Sequence, residues 1–162
     1  MVRVLFVCLG NICRSPTAHG VLLEKIRQRG LSSRINVDSA GTGAWHIGKS
    51  PDARAMATAS VQGYDLSPLR ARQVCVDDFG QFDIIIAMDK NNLADLQALF
   101  ASGHSKGTEP VLFLSEYLAD QPILDVPDPY YGGDEGFEQV LNLVEKACDN
   151  LLDSIVRDYP DI

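Results

Sequence analysis

"FVCLGNICRSP", residues 6–16, sets a cysteine where an apolar run stops. Gly10 and Asn11 follow, Arg14 stands six residues on, and Ser15-Pro16 opens a helical pattern. The run before it, "VRVLFV" (2–7), is the β-branched type found in strands buried on both faces. A segment that ends a strand, turns tightly and starts a helix is the first unit of a parallel α/β fold.

The rest of the chain repeats the unit. "INVDSAG" (35–41), "DIIIAM" (83–88) and "PVLFLS" (110–115) are the other strand candidates. After Pro16, Ala18, Val21, Leu22 and Ile26 fall on one helical face, and Gly30 stands where a stop belongs. "SPDARAMATASVQG" (50–63) reads as a helix with Ser50 as N-cap and Pro51 at its first position. Asp89 can cap a third, with Leu93, Leu96 and Phe100 inward. Phe137, Val140, Leu141, Val144, Cys148, Leu151, Leu152 and Ile155 keep a three-four spacing through the last. The alternation predicts an open four-stranded parallel sheet with helices on both faces, formed as a single domain over 1–162. In such sheets ligands bind at the carboxyl ends of strands, and Cys8 is at one.

The loop has the parts of an anion site. Gly10 can adopt positive φ and Asn11 tolerates it, so successive N–H groups of Leu9 to Cys13 can turn inward as a nest. The helix dipole points at the same spot, and Arg14 adds a planar fork for two phosphate oxygens. The same field favours a thiolate on Cys8, poised to attack. The spacing alone is weak: four cysteines and nine arginines give about 0.2 chance matches in such a chain. The strand before and the helix after carry the reading.

Composition removes several alternatives. The net charge is −8, from 22 acidic and 14 basic residues, which argues against nucleic acid as partner. Apolar runs are too short for membrane insertion, and no leader with a small-residue cleavage site is evident, so a cytoplasmic protein is expected. Four cysteines without a secretory signal read as reduced thiols. No lysine-ended nucleotide loop occurs, and Cys8 and Cys13 lack a second pair at metal-ligand spacing, so neither metal nor cofactor is expected.

"VCLGNICRSPTA", "DSAGTGAWHIGKSPDARA", "ARQV…DFGQFDIIIAMD" and "VPDPYYGG" resemble the motifs of the low-molecular-weight protein tyrosine phosphatases, across nearly the whole chain. The paired tyrosines resemble the eukaryote-like branch. The resemblance implies Cys8 as nucleophile, Arg14 as phosphate clamp and Asp128 as general acid. It further implies that Asn11, Ser15 and Ser39 hold the loop, with Leu9, Gly10, Ile12 and Cys13 completing it. Trp45, Tyr130 and Tyr131 would line a slot for the substrate ring. A tyrosine-phosphorylated protein would be the substrate and inorganic phosphate the product. Leu69 departs from the pattern, because relatives often carry histidine there.

Some residues stay open. Asp125 is the nearest rival to Asp128, and residues alone do not separate them. Cys13 could pair with Cys8 under oxidation or simply fill the loop. Cys75 and Cys148 read as structural, and nothing marks His19, His46 or His104 as a base. A thiol-coupled arsenate reductase shares this loop but needs relay cysteines, for which Cys75 and Cys148 are poorly spaced. A non-catalytic phosphate-binding module would not need Asp128.

Overall fold

The computed structural model describes all residues from Met1 to Ile162. In chain order the elements are β1 (Val2–Cys8), α1 (Arg14–Gln28), β2 (Ile35–Gly41), α2 (Ala53–Val61), α3 (Asp78–Gln81), β3 (Ile84–Ala87), α4 (Lys90–Ser102), β4 (Val111–Leu112), α5 (Phe113–Tyr117) and α6 (Asp134–Asp158). The four strands form one parallel sheet in the order β2-β1-β3-β4. The chain leaves β1 toward one side for β2 and later returns to the other side for β3. The crevice at this reversal opens at the carboxyl end of β1, where Cys8 lies.

Strand parity divides the core. Val2, Val4, Phe6 and Cys8 face a layer built from α1, α2, α5 and α6, with 30 buried residues in contact. Leu5 and Val7 face the opposite layer of α3 and α4, where nine buried residues cluster. Both layers are apolar, so β1 reads as a continuous hydrophobic run rather than an alternation. The predicted open parallel sheet with helices on both faces is the architecture found.

Several boundaries differ from expectation. Pro16 sits in the third position of α1, which begins at Arg14, where a missing N–H leaves no helical bond unmade. Asp52, not Ser50, caps α2: its side chain accepts from Arg54 N–H at 2.8 Å, and its own N–H donates to Ile12 O at 2.8 Å. Pro51 therefore precedes the helix instead of opening it. The run 110–115 splits after two strand residues, and Phe113 and Leu114 turn into the core as the start of α5. Asp89 caps α4 as predicted, with Leu96 fully buried.

Candidate active site

Cys8 ends β1 and α1 begins at Arg14, so residues 9–13 form a five-residue loop at the switch point. The left-handed turn falls on Asn11, with φ 58°, and Gly10 does not share it. Asn11 holds that conformation through its side chain: Nδ2 donates to Ser15 Oγ at 2.8 Å, and Oδ1 accepts from Arg72 N–H at 3.0 Å. Arg72 is itself fixed by Asp38 and Asp78. Gly41 lies beneath the loop so closely that a Cβ there would sit 2.7 Å from Leu9 O.

The loop encircles the thiol. Asn11 N–H donates to Cys8 Sγ at 3.3 Å, and Ser15 Oγ lies 3.1 Å from it. Ser15 Oγ is also 3.3 Å from Ala40 O, so its one hydroxyl proton can serve either acceptor. The N–H groups of Gly10, Ile12 and Cys13 have no acceptor within the protein. With the first-turn amides of α1 they make a concave donor surface suited to a tetrahedral oxyanion.

Arg14 is only 3% exposed. Its Nη1 donates to Asp89 Oδ2 at 2.5 Å and to Val126 O at 3.1 Å, and its Nη2 stands 3.7 Å from Asp128 Oδ2. Burial alone would lower its pKa, but Cys8, Asp89 and Asp128 outweigh that and hold the guanidinium charged. The acid-bearing segment is anchored by Val126 N–H, which donates to Met88 O at 2.8 Å just past β3. Asp128 Oδ1 accepts from Tyr130 N–H at 3.1 Å, an Asx turn that aims the carboxylate inward. Asp125 faces elsewhere, accepting from Lys90 N–H at 3.0 Å.

Cys8, Leu9, Gly10, Ile12, Cys13, Arg14, Trp45, His46, Asp128, Tyr130 and Tyr131 line one pocket of about 400 Å³. Trp45 is 68% exposed and so a rim aromatic. Tyr130 and Tyr131 meet edge to face, with centroids 4.9 Å apart. Ser39 does not reach the loop; its hydroxyl pairs with His19 Nδ1 at 3.0 Å, because β2 parity turns it toward α1. Leu69, the position of the expected histidine, packs against the larger core, and the strut role falls to Arg72.

Burial, followed by Asp52, Cys8 and Asp128, pushes the Cys13 thiol up to about 12, which keeps it protonated. Burial raises Cys148 as well, and neither it nor exposed Cys75 lines the pocket, so no relay pair faces Cys8. No cluster of three or more His, Cys, Asp or Glu is arranged to hold a metal ion.

Sequence reasoning missed four contributors. The sequence marks Asp89 only as a cap, and its reach to Arg14 depends on β3 lying beside β1. His46 lines the pocket beside Trp45. Asp52 and Arg54 join the loop to the acid segment: Asp52 holds Ile12, and Arg54 donates to Tyr130 O at 2.9 Å. Adjacency to Trp45 was the only available signal for His46.

Residues 3–160 match the family described as low molecular weight phosphotyrosine protein phosphatase. The chain is 41% identical over 158 residues to the low molecular weight protein-tyrosine-phosphatase YfkJ of Bacillus subtilis, covering 98% of each. It is 36% identical to the low molecular weight phosphotyrosine protein phosphatase of Sus scrofa, covering 94% of each. The crystal structure of YfkJ superposes with a TM-score of 0.89, covering 98% of this chain and 96% of that one.

Proposed function

The chain belongs to the low molecular weight phosphotyrosine protein phosphatases, and from that premise we propose how its own residues carry the reaction. It is a hydrolase of phosphotyrosine; the assignment of Cys8, Arg14 and Asp128 is our reading. The observation that carries it is the meeting of those three side chains in one pocket, from opposite ends of the chain.

The phosphoryl group sits on the loop amides, with Arg14 bridging two equatorial oxygens. The Cys8 thiolate attacks phosphorus in line. An S–P bond forms as the P–O bond to the phenol breaks, and Asp128 delivers its proton to the departing oxygen. Ser15 donates to Cys8 Sγ and steadies the negative sulfur. In the second step Asp128 takes a proton from water, which attacks phosphorus. The S–P bond breaks, inorganic phosphate departs and the thiolate returns. Amide N–H groups and Arg14 face the equatorial charge in both transition states.

Trp45, Tyr130 and Tyr131 form the walls of a slot that accepts a flat ring and leaves short phosphoserine side chains out of reach. The whole of 1–162 acts as one phosphatase domain on tyrosine-phosphorylated proteins. The chain is acidic overall, which disfavours nucleic acid as partner, and no helix is long and apolar enough to cross a membrane. A working thiolate at Cys8 fits the reducing cytoplasm.

Rapid acid quench during turnover tests the reading. Wild type should yield phosphate on Cys8, whereas Cys8→Ser should bind vanadate yet form no phosphoenzyme and release no phosphate. Measurable turnover by that variant would overturn the assignment.

A further inference from the structure

Beside the catalytic pocket, across the wall made by Leu9 and Trp45, lies a second cleft of about 340 Å³. Leu9, Trp45, Val74 and Leu99 give it an apolar lining, and Asp95 stands exposed at its edge with no ion-pair partner. Trp45 is held between the two hollows because Gly43 lacks a side chain; a Cβ there would meet the indole at 1.9 Å. Thr42 lies deeper. Its N–H donates to Cys8 O at 2.9 Å and its carbonyl accepts from Gln73 Nε2 at 3.2 Å, but its buried Oγ1 has no partner.

We propose that this cleft is a specificity subsite for a basic residue, arginine ahead of lysine, flanking the phosphotyrosine of a protein substrate. The inference rests on the phosphotyrosine slot proposed above, with which the cleft shares a wall. An apolar lining with one free carboxylate at the edge matches a long aliphatic stem carrying a cation. The planar guanidinium can offer two parallel donors to the Asp95 carboxylate, which a lysine ammonium cannot do in the same geometry. The face of Trp45 adds a cation–π contact. A net charge of −8 draws basic segments toward the protein and disfavours acidic ones.

The test compares kcat/KM for phosphotyrosine peptides in which a single residue near the phosphotyrosine is arginine, alanine or glutamate. Free phosphotyrosine, which fills the slot alone, is the reference. In wild type the best arginine peptide should exceed its alanine twin by about fivefold to tenfold, less at high salt. Asp95→Asn should bring that ratio close to one, and Asp95→Lys should favour the glutamate peptide. Equal rates for arginine and alanine peptides in wild type, or an arginine preference untouched by Asp95→Asn, would overturn the subsite. Loss of turnover on free phosphotyrosine itself would instead bring down the slot, and the subsite with it.

Discussion

Asp89 divides its carboxylate between two partners: Oδ2 lies 2.5 Å from Arg14 Nη1, and Oδ1 accepts from Asn92 N–H at 2.7 Å. The first bond orients the Arg14 guanidinium and the second caps α4. One side chain at the end of β3 thus ties the catalytic pocket to the helix beyond it.

The two bonds separate by substitution. Asparagine caps a helix as well as aspartate does, but brings no charge to Arg14. Asp89→Asn should keep the stability of the cap and lower kcat/KM by about 10- to 100-fold. Asp89→Ala should lose activity similarly and a further ~1 kcal/mol of unfolding free energy. Urea denaturation beside steady-state kinetics reads both; equal stability of the two variants would deny Asp89 its capping role.

A general acid matters in proportion to how poorly the leaving oxygen bears charge. Tyrosine, with a phenol pKa of about 10, needs the proton, and a nitrophenol does not. Asp128→Asn should cut phosphotyrosine turnover by about 10²–10⁴-fold and an activated aryl phosphate far less. Asp125→Asn should touch neither. Uniform loss across leaving groups would mean damaged binding, and a graded loss in the Asp125 variant would exchange the two roles.

Cys13 is held as a thiol, with burial pushing it up to about 12, so it is no rival nucleophile. Cys13→Ser should turn over substrate close to wild type. After mild peroxide, wild type should recover with added thiol through a Cys8–Cys13 disulfide, and the variant should recover less. Peptide mapping identifies the bridge. Equal recovery would remove any protective part for Cys13.

His19 is buried against Ser39, and burial lowers its pKa below the usual 6.5 despite the opposing pull of Asp38. Between the lowered value and 6.5 the unfolded chain binds more protons than the folded one. This contribution to stability is therefore present above about pH 6.5 and is lost as the pH falls through that window. Thermal melts should show His19→Gln less sensitive to mild acid than wild type. Parallel slopes for the two would refute it.

The frame of the molecule was legible because its signals are local and strong. An apolar run, Gly-Asn, and a helix signal at Ser15-Pro16 declare themselves within residues 2–16, one residue past the helix's true start at Arg14, and the long periodicity of 137–155 is equally plain. Asp128 became distinguishable from Asp125 only with the likeness to relatives, since two nearby aspartates in a proline-rich turn look alike until Lys90 is seen to claim one. Ser39 shows the opposite failure. A strand residue near a loop can face either layer, and only the register of β2 against β1 turned it toward His19. Asp89, Asp52 and Arg54 act across the fold, at separations no periodicity reports. The split of 110–115 into strand and helix followed from the burial of Phe113 and Leu114, which apolar content alone does not distinguish from a longer strand.

The two layers on the sheet are unequal, 30 buried residues against nine. In amide exchange the thinner side, α3 and α4, would open first and on its own, while α1 and α6 exchange only with the whole. The loop around Cys8 rides on the slow side, through α1. The partner of Arg14 rides on the fast side, at the cap of α4. Breathing of the lesser layer would therefore loosen the hold on Arg14 while leaving the loop around Cys8 intact, giving the pocket one firm jaw and one yielding one.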